Sequence, residues 1–288
     1  MAKNRKKDLP RTHRIMNHPY LALVLMPLMG LFFEFLFAGV LQSVFPEVAG
    51  QYHLDAVGAF AAAVLCLIIF KGWFKGEFTG CLSFKNVKQG LLLLVPTLVF
   101  IVINLTEVKY SGLTAKDIAL AFAIGLVPGF SEEVNFRGLS GSNFMRVRPD
   151  GRGLVLYTTL LGVMFGASHL MNLSAGAAVG KTLLQIFYAS GVGILYAAVF
   201  FRTGSLIPGI ISHWIVDFTS NLTPGGTGAL SARDIIIGLG LGSVMAAIGY
   251  WYIRPAKRGE IAEVWAEKWP AASAACEAKE EPEELPQA

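Results

Sequence analysis

Val127-Pro-Gly-Phe-Ser-Glu-Glu-Val-Asn-Phe-Arg-Gly138 lies inside one of the apolar runs that fill this chain. Glu132, Glu133 and Arg137 place three ionisable groups within six positions of it. Such a group at membrane depth costs about 2.5–3.5 kcal/mol even on insertion scales, so it marks function by default. Two other apolar segments each carry a histidine at a comparable place, His169 and His213. The remainder of the chain reads as a scaffold that brings these three segments together.

Of the 288 residues, 54% are hydrophobic and only 15% are charged, where a soluble domain carries about 25%. The composition predicts an all-α, polytopic membrane protein, because a lone segment in lipid must satisfy its own backbone. Spans of roughly 17–25 apolar residues are expected. About eight transmembrane helices can be placed, around a polar intramembrane cavity: Leu21–Val40, Leu54–Phe70, Leu91–Leu105, Ile118–Phe144, Leu154–Leu170, Thr182–Phe201, Ser205–Phe218 and Ile235–Ile253. Three regions follow: a basic arm over 1–20, a transmembrane domain over 21–253 with its polar motifs within 120–217, and a tail over 254–288, partly disordered.

Lysines and arginines cluster before Leu21, in 71–88, in 146–152, at Arg202 and after Ile253, nineteen in all. Alternate loops hold four: Lys109, Lys116, Lys181 and Arg233. This asymmetry predicts that both termini are cytoplasmic. The arm reads as a partner for anionic membrane lipid, not for nucleic acid. The first apolar run is too long for a signal peptide and reads as a retained anchor. Cys66, Cys81 and Cys276 show no pairing across an outer loop, so a disulfide framework is not expected.

Finer features carry expectations too. Glu34 reads as a partner for a polar group on a neighbouring helix. Loop 71–88 mixes basic and aromatic residues, as interfacial anchors do. Pro128-Gly129 marks either a helix break beside a cavity at Glu132 or a kink for packing. Gly238, Gly240 and Gly242 suggest close helix packing. Residues 257–270 read as an amphipathic surface helix bearing Trp265 and Trp269.

On a helix, residues four apart share a face. Glu133 and Arg137 are then neighbours, and Glu132 points elsewhere. Arg137 can hold Glu133 ionised, while Glu132 is free to face a cavity as a general base. His213 and Asp217 are also four apart, so the carboxylate can fix the imidazole tautomer. At about 1.5 Å per residue, Glu132 lies roughly 21 Å before Arg146, His169 roughly 25 Å beyond Arg152, and His213 roughly 16 Å beyond Arg202. Tilt or a helix break must absorb the spread in depth.

Glu132-Glu133-x-x-x-Arg137, Phe165-x-x-x-His169 and His213-x-x-x-Asp217, in that order and in separate spans, resemble the CAAX prenyl protease and bacteriocin-processing (CPBP, or Abi) family. The resemblance implies an intramembrane endopeptidase acting on a membrane-anchored peptide or protein, lipidated or plain. It implies that Glu132 activates the attacking water, that His169 holds that water or a metal, and that His213 and position 217 stabilise the oxyanion. Arg137 would brace Glu133, and Phe165 is a candidate substrate contact. Position 217 is Asp here where CAAX proteases typically have Asn, and an ionised Asp is a poor oxyanion donor. Glu132, His169 and His213 make a His₂Glu set of the kind catalytic zinc uses, although no H-E-x-x-H is present. Zinc or another divalent metal, and a metal-free glutamate mechanism, both stay open. The expected location is a prokaryotic plasma membrane. Two readings compete: a proton-coupled transporter built on the same Glu/His cluster, and a catalytically silent immunity or scaffold protein.

Overall fold

The computed structural model describes residues 16–47, 54–74, 77–174, 176–223 and 230–273. The expectations for the arm before residue 16, for Cys276 and for the tail from 274 lie outside them. The described residues form helices and no strand. In chain order the helices are α1 (Pro19–Val44), α2 (Leu54–Trp73), α3 (Val87–Leu93), α4 (Leu98–Glu107) and α5 (Ala115–Glu132). A π-helical segment (Glu133–Gly141) leads into α6 (Ser142–Val147). Then come α7 (Leu154–Ser168), α8 (Val179–Thr203), α9 (Ile207–Asn221), α10 (Ala232–Tyr252) and α11 (Arg258–Ala266).

Every expected apolar run lies in this set, but the runs are not eight equivalent spans. Five stretches are long and apolar enough to cross a membrane: α1, α2, Leu154–Leu173, α8 and α10. Val87–Leu93 with Val95–Glu107, bent by 48°, makes a sixth if counted as one span. The two remaining runs carry the ionisable residues. One is α5 with its π-helical extension, and the other is α9, only 15 residues long. Both lean on the apolar helices around them, so their polar groups face protein.

Helix ends are set locally. Thr114 caps α5 by accepting from the Asp117 amide, while Asp117 accepts from the Thr114 amide (2.9 Å); Ser231 and Asp234 repeat the arrangement at α10. Gly204 closes α8 with φ 63°, a left-handed conformation that glycine adopts without strain.

The pairing of α5 with α9 positions the site. A Cβ on Gly125 would stand 2.6 Å from the Phe218 amide nitrogen, one on Gly129 2.8 Å from that of Trp214, and one on Gly209 2.9 Å from the Glu133 carboxylate. The helices are therefore antiparallel, in backbone contact, with Glu133 delivered opposite the start of α9. Small residues four apart permit this approach in a membrane. Pro128 lies within a continuous α5, so of the two readings of Pro128-Gly129 the helix break is not observed, and Gly129 serves packing. The change of helix type comes at Glu133, where a π-helix, often a mark of functional sites, begins. All nine of its residues are buried. Gly238 and Gly242 do pack closely, against Leu184 and Tyr188, but Gly240 faces nothing within 4 Å.

Two surface expectations are corrected. Trp265 and Trp269 are buried, donating their indole N–H groups to the Phe201 and Ser142 carbonyls (both 2.9 Å). Phe74 and Phe78 of the 71–88 loop are buried as well, with Phe78 stacked on Trp269 at 4.4 Å. The loop and the post-span segment thus clasp one another, and Lys85–Glu267 and Arg202–Glu260 ion pairs fasten the edge. The segment has an apolar face, but that face meets protein instead of lipid. Trp269→Ala should cost about 3–5 kcal/mol, the usual loss for a large buried aromatic. The check is a drop in the thermal midpoint of the detergent-solubilised protein. An unchanged midpoint would mean that the clasp does not support the bundle.

Candidate active site

Four elements supply the polar cluster: the end of α5, the π-helical segment, the end of α7 and the middle of α9. Arg137 is fully buried and donates from Nη1 to Glu133 Oε1 (3.0 Å) and from Nη2 to the Gly193 carbonyl of α8 (3.3 Å). Its guanidinium lies over the Phe165 ring, 4.1 Å from the centroid. A buried cation this well enclosed gains from hydrogen bonds and the ring face together. The Glu133–Arg137 contact expected from the four-residue spacing is present although the segment is π-helical.

Glu133 then does a second thing. The same Oε1 accepts from His213 Nδ1 at 3.2 Å. That contact puts the proton on Nδ1 and fixes the ring. His213 Nε2 faces the other way, 3.5 Å from Asp217 Oδ2 and 3.8 Å from Glu132 Oε2. The sequence suggests Asp217 as the residue that fixes the imidazole tautomer. Glu133 makes the closer contact, and at the opposite nitrogen.

Glu132 is set apart from its neighbour as the helix geometry predicts. Glu133 is 1% exposed, whereas the Glu132 side chain is 33% exposed and lines a cavity of about 150 Å³. His169 starts a short 3₁₀ turn, His169–Leu173, directly after α7. Its Nδ1 lies 3.2 Å from the Phe165 carbonyl, which can only accept, so Nδ1 carries the proton and Nε2 is left as an acceptor. The Phe165 ring lies edge-on to both imidazoles, with centroids 5.5 Å from His169 and 5.8 Å from His213. The expected spread in depth has therefore been absorbed, and the three motifs meet.

His169 lines two cavities. One is the 150 Å³ pocket shared with Glu132 and Glu34. The other, about 320 Å³, runs between α4, α8, α9 and α10 and reaches His213 and Asp217. Its wall is mainly apolar and aromatic, including Phe100, Leu184, Tyr188 and Val192. Glu107, Arg233 and Asp234 lie at its far end.

Several residues here are not singled out by the sequence. Tyr196 lies against the His213 ring (centroids 5.6 Å), and its hydroxyl meets Ser212 Oγ at 3.1 Å, which meets Thr97 Oγ1 at 2.8 Å. This buried hydroxyl chain backs the imidazole. Ser212 adjoins His213 in sequence, the one local signal that was available. Asn135, inside the opening stretch, also lines the smaller cavity.

The donor set does not fit a metal centre. Among the described residues no group of three His, Cys, Asp or Glu side chains is placed to share one ion. Glu132 and His169 line the smaller cavity, His169 and His213 the larger, and the three do not converge as ligands.

A family model described as "Rce1-like: Type II CAAX prenyl endopeptidase Rce1-like" matches residues 114–219. That interval runs from the N-cap of α5 to the last turn of α9, and contains every motif residue above. No curated protein matches the chain, and no solved structure matches it.

Proposed function

We propose that this integral membrane protein, whose residues 114–219 match the Rce1-like CAAX protease family, hydrolyses a peptide bond in a membrane-anchored peptide or protein by a glutamate-activated water. One observation carries the reading: Glu132 stands at a cavity 3.8 Å from His213 Nε2, while the other face of that imidazole is locked by the buried Glu133–Arg137 pair. A structural salt bridge would not need an exposed carboxylate at the same point.

The roles follow from the geometry. A water between Glu132 and His169 would give one proton to the carboxylate and the other, as a hydrogen bond, to the free Nε2 of His169. The hydroxide forms its bond to the scissile carbonyl carbon. The carbonyl oxygen becomes an oxyanion; His213 acts as an imidazolium, keeping its Nδ1–H on Glu133 while its Nε2–H, beside the Asp217 and Glu132 carboxylates, is the group placed to receive that oxyanion. Glu132 then passes its proton to the departing amine nitrogen as the C–N bond breaks. Asp217, 3.5 Å from that Nε2, supports the imidazole instead of donating to the oxyanion itself. This assigns Asp the place of the family's more usual Asn. Phe165 positions both imidazoles and borders the larger cavity, whose apolar wall suits a hydrophobic stretch of substrate. The lysine and arginine asymmetry further supports a cytoplasmic location for both termini.

The test is cleavage of a membrane-anchored fluorogenic peptide by protein reconstituted in liposomes, run in ¹⁸O-water. Hydrolysis predicts one ¹⁸O in the new carboxylate terminus. Proton flux across the same liposomes without cleavage would overturn the reading in favour of a carrier.

A further inference from the structure

The smaller cavity contains more acid than the hydrolytic step uses. Glu34, at the middle of α1, shares it with Glu132. Glu34 takes no part in the Glu133–Arg137–His213 arrangement. Among the described residues neither lysine nor arginine lines this cavity, and His169 is its one basic residue. Asn135 is 4% exposed, lines the same cavity, and its Oδ1 is buried with no hydrogen-bond partner. A buried acceptor left unmade costs roughly 1–3 kcal/mol. Two carboxylates facing common space in a low-dielectric surrounding add to that cost. All three groups accept; Glu132 has His213 Nε2 at 3.8 Å, whereas among the described residues Glu34 and Asn135 Oδ1 have no charged donor beside them. Gly30 belongs to the same design, because any Cβ there would stand 2.4 Å from the Asn135 amide group and push it out of place.

The group that would satisfy this set is a cation with several N–H donors, on a stem able to run past Leu31 and Phe136. Lysine and arginine side chains have that form. The cavity touches the hydrolytic centre through Glu132 and His169, so its occupant must be near the scissile bond. We infer that the part of this pocket lined by Glu34 and Asn135, beside the base Glu132, is a specificity subsite for a basic side chain of the substrate, with Glu34 as the recognising carboxylate. The larger, apolar cavity lies on the other side of His169. The two together read a substrate that is hydrophobic on one side of the scissile bond and basic on the other.

This inference rests on the proposed proteolysis for its meaning, and its test is built to separate the two. Membrane-anchored fluorescent peptides, identical except for lysine, norleucine or glutamate at one position beside the target bond, are bound to Glu132→Gln protein, and dissociation constants are read by anisotropy. The lysine peptide should bind at least about tenfold more tightly than the norleucine peptide, a ratio worth about 1.4 kcal/mol. Adding Glu34→Gln should collapse the ratio towards one, and Glu34→Lys should invert it in favour of the glutamate peptide. Cleavage ratios with Glu132 intact should follow the same order. Binding that follows this order without any cleavage would sink the protease reading and keep the cation subsite. Cleavage with no difference between lysine and norleucine, at every position tested, would sink the subsite and keep the protease. A ratio unmoved by Glu34→Lys would also overturn it, because charge reversal cannot be silent in a site that recognises charge.

Discussion

Glu132→Gln is expected to slow peptide cleavage by roughly a hundred- to ten-thousand-fold, the usual worth of a positioned general base. Glutamine keeps the shape of the side chain and one carbonyl acceptor, so it can still touch a water. It cannot take the proton. The loss should therefore appear in kcat, with little change in KM, because the substrate contacts lie mainly along the larger apolar cavity and at Glu34 and Asn135. The fold should not suffer. Glu132 is the partly exposed member of the glutamate pair, and the buried ion pair belongs to Glu133. Glu132→Asp makes a sharper comparison. It retains the carboxylate but withdraws it by one methylene, and a shift of about 1 Å at a reacting group can cost a hundredfold. Both variants are to be measured by single-turnover cleavage in liposomes, beside a thermal midpoint for each. If Glu132→Gln cleaves within about threefold of wild type at a matched midpoint, this residue is not the base.

The reasons that some of this was legible in advance, and some not, are physical. Apolar runs declare themselves because lipid demands them, so the long apolar helices could be placed by composition, though the bend between α3 and α4 could not. Ionisable residues inside such runs declare themselves because they are expensive there. Glu132, Glu133, Arg137, His169, His213 and Asp217 could all be singled out on that ground, and the structure brings them to one place. Faces were another matter. Apart from Glu34 the middle of α1 is apolar all round, as is that of α2, so no polar stripe says which side of α1 meets the π-helical segment. Glu34 could be noticed from the sequence, but its companion Asn135 could not be named. The α5–α9 contact was hidden for a related reason: Gly125, Gly129 and Gly209 act through the space they leave, and space has no signature without a partner. Trp269 misled because an aromatic beside basic residues is the same pattern whether it meets lipid headgroups or, as here, Phe78. The π-helical turn at Glu133 has no local sequence cause that separates it from an ordinary helix; burial of all nine residues on neighbouring helices is a tertiary effect.

Arg137→Ala should be the most damaging single change to the fold. Arg137 and Glu133 are both essentially without solvent contact, so the alanine variant strands a carboxylate in the interior. Breaking a buried pair from one side costs about 3–5 kcal/mol, whereas replacing both partners by well-packed neutral groups is often neutral. The cost here has a second component, since the guanidinium also fills the space over Phe165 and ties α8 through the Gly193 carbonyl. Arg137→Lys should recover only part, because an ammonium cannot reach Glu133 and Gly193 in one plane while lying flat on a ring. The informative variant is therefore the double one. Arg137→Met with Glu133→Gln removes both charges, keeps the bulk, and leaves the new side-chain amide with a carbonyl able to accept from His213 Nδ1. Its thermal midpoint should stand above that of Arg137→Met alone, with a coupling of about 0.5–3 kcal/mol between the sites. Cleavage should not recover in parallel, because a neutral amide no longer balances charge on the imidazole as it meets the oxyanion. Stability and activity would then separate at one pair of residues. Equal midpoints for the single and double variants would show that Glu133 is not held by Arg137, and that the imidazole is oriented by something else.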